Sequence, residues 1–300
     1  MDIQLEKLSG RYVLAISGGV DSVSLLDLMV KLNLDTKENI IVAHFDHGIR
    51  NDSKKDRILV QDLAKKYGLT FYFEEANLGQ KTSEALARKK RYQFLDQIKK
   101  RTNSAGIITA HHQDDLIETA ILNILRGTNR RGLSPLKNNE EIKRPFLDYD
   151  KKTIIEYALK NNLRWIEDST NKDTKYLRNY LRINVLPKLS QKDRLKMIEL
   201  IKKNRIINNE IDKIIFSIYQ KNFKNNQFSR LWFDSLDYDI QKEFMVFLLL
   251  DNKIKDYSSQ TIKRLVNSLK TFPNNVIIEI SNQNFFKINK DIVTLVNNKR

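Results

Sequence analysis

Between residues 11 and 125, short apolar runs alternate with longer segments of helical periodicity. Residues 11–17, 40–45, 69–73 and 105–110 read as strands. Segment 22–32 carries helical periodicity; 52–67 reads as a polar helix, 83–100 as a basic one and 115–125 as a fourth. Strictly alternating strands and helices predict an α/β fold, a parallel sheet with helices on both faces. In such a sheet ligands bind beyond the carboxyl ends of the strands.

The pattern changes after residue 127. A connecting stretch, 127–148, carries Pro135 and Pro145 and leads to a helix over 151–161. A polar loop, 167–174, precedes a helix that stops near Pro187. A long charged helix is expected over 194–219, followed by further helices and two short strands, 276–280 and 285–288. The expected organisation is a catalytic domain over 1–190 and a smaller, mainly helical domain over 191–300, in line with about 100–200 residues per domain. All 9 glycines lie at or before Gly132, and all 4 histidines (His44, His47, His111, His112) fall in the first part. Glycine supplies tight turns and close backbone approach, so the chemistry is expected there.

Composition narrows the class. The longest apolar run, 244–250, is far short of the ~20 residues of a membrane helix, and the N-terminus has no secretory pattern. With 0 cysteines, disulfides, thiolate metal sites and cysteine nucleophiles are excluded from the chain. These features suit a cytoplasmic protein without a membrane partner. The net charge of +16 suits a polyanionic partner such as nucleic acid; a bias toward Lys, Asn and Ile in the source is the other reading.

Ser17-Gly18-Gly19-Val20-Asp21-Ser22 lies between the first strand and the first helix. Two glycines let successive N–H groups converge on one anion, and a helix N-terminus adds free N–H groups and its positive dipole end. Ser17 and Ser22 can donate to phosphate oxygens; Asp21 can bind Mg²⁺ or organise the loop. The competing reading is a glycine turn with a helix cap. No Gly-Lys-Ser/Thr follows, so this is not a Walker A loop, and the Gly-x-Gly-x-x-Gly dinucleotide turn is also missing.

At the end of the fourth strand stands His111-His112-Gln113-Asp114-Asp115-Leu116-Ile117-Glu118-Thr119. Asp115 and Glu118, three apart, share a face of the first helical turn. A capping arrangement and a metal site of the histidines and aspartates are the alternatives to a carboxylate pair serving Mg²⁺ and an incoming ammonium group. In Glu84-Ala85-Leu86-Ala87-Arg88-Lys89-Lys90-Arg91-Tyr92, Glu84 can pair with Arg88, and Arg88 neighbours Arg91; a solvated basic face is the plain reading. Finally, Asp168-Ser169-Thr170-Asn171 precedes Arg178 and Arg182, four apart, which form an anion-binding edge or sit in a helix capped by that loop.

The hexapeptide resembles the PP-loop of N-type ATP pyrophosphatases. The whole series resembles the tRNA(Ile)-lysidine synthase family over roughly residues 10–190. It comprises the loop, His44-Phe45-Asp46-His47-Gly48-Ile49-Arg50, the segments at 84–92 and 111–119, Leu125-Arg126-Gly127-Thr128, Arg131-Gly132-Leu133, Arg144-Pro145-Phe146-Leu147, and Trp165 to Asn171 with Arg178 to Pro187. The family often has Asn where this chain has Asp46. The resemblance implies ATP and Mg²⁺ as cofactors, a tRNA(Ile) with a CAU anticodon as partner, and free L-lysine as second substrate. It implies a ligase that adenylates the wobble cytidine and then attaches lysine.

By that resemblance the loop residues 17–22 hold the pyrophosphate. Asp21, Arg88 and the loop amides act at the α-phosphate, and Asp21 and Asp115 are the expected Mg²⁺ ligands. Asp115 is expected to handle the lysine amine, with His112 second and Asp114 assisting. Arg91, Arg178 and Arg182 are expected to contact tRNA. A thiolase using an iron–sulfur cluster or persulfide has no cysteine here to carry sulfur, and small-molecule amidating synthetases have no need of a +16 surface. A catalytically silent RNA-binding protein remains the rival from another class.

Overall fold

The structure, a computed structural model, describes residues 3–48, 53–76, 78–79, 82–167, 177–254, 257–281 and 284–297. The chain groups into two compact units. One comprises Met1–Thr128 with Gly132–Lys202, the other Asn129–Arg131 with Lys203–Arg300.

The first unit is a parallel sheet. In chain order it contains β1 (Tyr12–Ala15), α1 (Val20–Leu32), β2 (Ile40–Asp46), α2 (Ser53–Tyr67), β3 (Thr70–Glu75), α3 (Glu84–Arg101), β4 (Gly106–Thr109) and α4 (Gln113–Leu125). A short β5 (Ile142–Lys143), α5 (Lys151–Lys160) and α6 (Leu177–Tyr180) follow. The strand order is β3-β2-β1-β4-β5, and every neighbouring pair is parallel. The α/β expectation therefore holds, with one strand more than the apolar runs announced. Two residues, Ile142 and Lys143, pair only with Ile107 and Ile108, too few to leave a periodic signal.

Alternation along the strands builds two layers of core. Tyr12, Leu14, Ile40 and Val42 pack with Leu25, Leu26, Met29 and Val60 on one face; Val13, Ile41, Ala43 and Phe45 pack with Phe94, Leu95 and Ile98 on the other. Helix α1 is buried almost all round, from Val20 to Val30, because α5 covers it on the side away from the sheet. A buried polar tie joins these helices. Asp27 of α1 accepts hydrogen bonds from Tyr67 of α2 at 2.8 Å and Tyr157 of α5 at 2.5 Å. It also pairs with Lys31 at 2.8 Å.

After α6 a π-helical turn, Leu181–Val185, leads into α7 (Gln191–Asn222). The expected break near residue 190 is the start of this helix, whereas the compact units divide inside it, after Lys202. Its first turns stay with the first unit because Ile198 packs on Ile117 and Leu186, and Ile201 on Leu116 and Ala120.

The second unit continues with β6 (Gln227–Ser229), α8 (Arg230–Asp234), α9 (Tyr238–Asp251), α10 (Ser259–Thr271), β7 (Ile277–Ser281), β8 (Asn284–Asn289) and β9 (Ile292–Asn297). Its four-stranded sheet has the order β6-β9-β8-β7 and is antiparallel throughout. Two of these strands were expected; β6 and β9 were not. Phe228, Phe233, Phe244 and Phe286 centre its core. Arg130 joins it by pairing with Asp212 and Glu243 at 2.7 Å each. Among the described residues, no helix is long and apolar enough to cross a membrane.

Candidate active site

Strand order fixes where the chemistry gathers. The chain runs outward through β1, β2 and β3, then returns to place β4 on the other side of β1. The carboxyl ends of β1 and β4 thus flank the switch point, where a crevice opens between diverging connections. Residues 17–22 leave β1 there, and residues 110–115 leave β4.

In the first loop Gly18 has φ +96°, a left-handed conformation that favours glycine. Its backbone also passes close to α2, since an added Cβ would lie 3.4 Å from Asp56 Cβ. Gly19 is the N-cap of α1, and no side chain caps that helix. Its first-turn N–H groups have no intrahelical acceptor, so the positive end of α1 opens at the crevice. The Ser22 hydroxyl is buried. It accepts from the N–H groups of Ser17 and Gly18, each at 3.1 Å, and donates to Gly19 O at 2.9 Å. Ser22 therefore organises the loop from inside, and Ser17 Oγ lies 3.1 Å from it. Ile16 O meets His44 Nδ1 at 2.9 Å; burial lowers the His44 pKa, so the ring is neutral and Nδ1 donates.

The second loop is capped by its own functional residues. Asp114 N–H donates to His112 Nδ1 at 3.2 Å, and His112 N–H donates to Asp115 Oδ2 at 3.0 Å. The cap and the carboxylate cluster, alternatives in the sequence, are one arrangement. Because Nδ1 accepts, the ring N–H lies on Nε2. That nitrogen lies 3.7 Å from Asp21 Oδ2 and 3.5 Å from Asp115 Oδ2. His112 thus joins the glycine loop to the α4 carboxylates in one site.

Basic groups surround these acids. Arg182 bonds Asp115 at 2.7 Å and Glu118 through Nε. Arg178 pairs with Glu118 and Glu84, and Arg194 holds Asp114 at 2.8 Å. Glu118 is only 1% exposed. Burial raises its pKa more than Arg182 and Arg178 lower it. Burial would also raise Asp115, but His112, Arg182 and His111 outweigh it and hold that carboxyl below its ordinary value. His111, half-buried and 2.7 Å from Thr109 Oγ1, is pushed down to about 3 by desolvation, with Arg91, Arg88 and Arg144 adding to the fall.

Two expectations change. Glu84 pairs with Arg178, not Arg88, because the Arg88 guanidinium lies over the Tyr92 ring, 4.8 Å from its centroid. The edge expected of Arg178 and Arg182 is turned onto internal carboxylates, which match charges that burial would otherwise leave uncompensated. The Arg91 guanidinium lies against the Tyr92 ring, 5.4 Å from its centroid, and its Nε is buried without a hydrogen-bond partner. Asp168, Ser169, Thr170 and Asn171 lie outside the described residues. Just before them, Ile166 N–H donates to Gly18 O at 3.0 Å.

Sequence reading missed Lys151 and Arg194. Lys151 Nζ contacts both carboxylate oxygens of Asp21 at 2.7 Å. A signal existed: α5 begins with two lysines in its first turn, where the helix dipole disfavours positive charge.

Among the described residues, no group of three His, Cys, Asp or Glu side chains is placed to hold a metal by itself. Mg²⁺ is commonly held by one or two carboxylates together with substrate phosphates. Asp21 and Asp115, hard oxygen donors on either side of His112, fit that mode.

Comparison with known proteins now assigns the family. The PP-loop domain family matches residues 2–189. The chain is 30% identical over 305 residues to the tRNA(Ile)-lysidine synthase of Mycoplasma mycoides subsp. mycoides, covering 96% of this chain and 71% of that protein. It belongs to the tRNA(Ile)-lysidine synthase family. The family member of Thermotoga maritima is 33% identical over 224 residues, covering 71% of this chain and 54% of its own length. The chain thus spans about half the length of the Thermotoga relatives it matches. The U34-tRNA thiolase NcsA of Methanococcus maripaludis, solved with its 4Fe-4S cluster, superposes with a TM-score of 0.57 at 13% identity. That match covers 67% of this chain and 73% of the thiolase, and shows the shared fold.

Proposed function

We propose that this chain ligates free L-lysine to the wobble cytidine of a tRNA(Ile) with a CAU anticodon, using ATP and releasing AMP and pyrophosphate. One observation carries the reading: His112 Nε2 stands between Asp21 of the PP-loop and Asp115 of the α4 cluster. A phosphate site and an amine site therefore share one crevice, as a two-step ligase requires. Family membership and a +16 charge support it.

In the first step the cytidine O2 attacks the α-phosphate of ATP. The O2–P bond forms, the bond to the β-phosphate breaks, and pyrophosphate leaves. Loop amides and the open N-terminus of α1 hold the leaving group, with Ser22 keeping the loop in shape. Arg88 and Arg91 stabilise charge at the α-phosphate and on the tRNA strand. Mg²⁺, held by Asp21 and Asp115, would neutralise phosphate charge.

In the second step the lysine ε-nitrogen attacks C2 of the base. The C2–O2 bond breaks and AMP leaves with that oxygen. A lysine amine of pKa ~10.4 costs about 4–5 kcal/mol to deprotonate at pH 7. Asp115, kept ionised by its neighbours, attracts the ammonium; once that has lost one proton to solvent the neutral nitrogen attacks, and Asp115 accepts the proton it sheds as the C–N bond forms. Its low pKa limits its basicity, so proton transfer accompanies bond formation. His112 is the second acceptor and would have to release the Asp114 N–H to use Nδ1; Asp114 supports the local negative charge. Arg178 and Arg182 reach tRNA or the lysine carboxylate only by exchanging their internal partners.

The test is incubation with ATP, Mg²⁺, lysine and unmodified tRNA(Ile) bearing CAU, with mass analysis of the nucleosides. A lysine adduct on the wobble cytidine is expected. Its absence, with product on another acceptor, overturns the lysidine reading and leaves family and fold intact.

A further inference from the structure

Lys151 is oddly placed for a structural lysine. It begins α5, where Asp150 already caps the helix by accepting from Thr153 N–H at 2.8 Å. A positive charge in that first turn opposes the dipole. Yet its ammonium sits astride the Asp21 carboxylate, 2.7 Å from each oxygen. Its side chain is 35% exposed and that of Asp21 27%, so this pair is reachable from solvent. His112 Nε2 faces the same carboxylate at 3.7 Å.

We propose that Lys151 is a resident counter-cation of the PP-loop, occupying Asp21 until a divalent metal displaces it and then serving the phosphates. This rests on the reading of Asp21 as a metal-holding carboxylate. Mg²⁺ needs an Asp oxygen at about 2.0–2.1 Å. An ammonium bound across both oxygens blocks that approach and repels the incoming charge. Metal without phosphate must therefore compete with Lys151. Metal arriving on ATP brings phosphate oxygens that give the displaced ammonium a new partner beside the uncapped end of α1. The loop would thus favour metal–nucleotide over free metal, and Asp21 would never stand as an uncompensated charge.

The test titrates Mn²⁺ alone, followed by its paramagnetic resonance signal, into the full chain, Lys151→Gln and Lys151→Arg, each first shown by circular dichroism to melt like the unsubstituted chain. Removal of a partly exposed cation beside the ligand is expected to tighten Mn²⁺ about fivefold in Lys151→Gln. Lys151→Arg, which keeps the charge, is expected to bind Mn²⁺ as the unsubstituted chain does. Pyrophosphate added at saturating Mn²⁺, measured by calorimetry, is expected to bind about fivefold more weakly to Lys151→Gln. Unchanged or weaker Mn²⁺ binding in Lys151→Gln overturns the proposal. So does an equal gain in Lys151→Arg, no saturable Mn²⁺ binding by any of the three, or unchanged pyrophosphate binding. No tRNA, lysine or ATP enters these titrations, so failure to form lysidine in the separate assay leaves their result standing.

Discussion

Gly18 and Gly19 are adjacent, yet the structure gives them different tasks, and one methyl group on each separates backbone shape from ligand approach. Gly18 sits at φ +96° against α2. Alanine there adopts a sparsely populated conformation at a cost of about 1–3 kcal/mol. The new Cβ would only reach ordinary contact with Asp56, at 3.4 Å, so backbone strain dominates. For a unit of this size ~1 kcal/mol moves the melting temperature by about 2–4 °C. Gly18→Ala is expected to melt about 2–12 °C lower. Gly19 has φ −76° and ψ 163°, a conformation alanine adopts freely, and its added Cβ meets nothing closer than Ser17 Oγ at 3.8 Å. Gly19→Ala is expected to melt within about 1 °C of the original or slightly higher, since alanine restricts the unfolded chain by about 0.4–1 kcal/mol. Its methyl would nonetheless project where phosphate oxygens approach the α1 amides, so ATP affinity should fall at least about tenfold, or ~1.4 kcal/mol. Thermal melts by circular dichroism and ATP titration by calorimetry decide. Equal destabilisation by both substitutions, or full-affinity ATP binding by Gly19→Ala, would refute this account of the loop.

Asp27→Asn removes the charge and turns one of the two oxygens that accept from Tyr67, Tyr157 and Lys31 into an NH2 donor, and should cost about 2–3 kcal/mol in a denaturant melt at pH 7. Burial would raise the Asp27 carboxyl, but its hydrogen bonds leave it lowered. Its stabilisation is therefore full above the ordinary value of 3.8 and lost as pH falls through the lowered one, so Asp27→Asn should show a shallower acid-unfolding curve. Glu118 shifts the other way: folding raises its pKa, so its ionisation costs stability as pH rises past its ordinary range. Glu118→Gln should then lose no more than about 1 kcal/mol at pH 7 while slowing lysine transfer, because Arg178 and Arg182 lose their shared anchor; a large stability loss with full activity would reverse that reasoning. Asp115→Asn should depress lysine transfer by about 10²–10⁴-fold while leaving tRNA-dependent ATP–pyrophosphate exchange measurable, and full transfer activity would remove Asp115 from its role. Binding to tRNA should weaken steeply with salt, with a log–log slope near −4 or steeper for about six phosphate contacts; a flat dependence counts against a tRNA partner.

Much of the fold and part of the site were legible in the sequence, and the particular residues show why. Apolar runs such as Val13-Leu14 and Ile107-Ile108, buried on both faces, announce central parallel strands because a strand covered on two sides has no polar positions to spare. The glycine pair after β1 announces an anion loop because only glycine gives its backbone that freedom. Ile142 and Lys143 announce nothing, since their strand exists only as pairing with β4. Strand β9, Ile-Val-Thr-Leu-Val-Asn, carries a β-branched signal that was readable, whereas β6, at 3 residues, was not.

Which motif is present depends on local sequence; which motifs meet depends on chain crossing. The sequence by itself determined the α/β class, the pyrophosphate loop, the carboxylate-rich start of α4 and the basic charge, because each is encoded in residues close in sequence. Only the tertiary structure decided that β4 returns beside β1 and so sets His112 between Asp21 and Asp115. It likewise decided that Arg178, Arg182 and Arg194 face α4's acids and that Lys151 reaches back across 130 positions to Asp21. Charge pairing depends on distance in space, and sheet order, not sequence spacing, sets that distance.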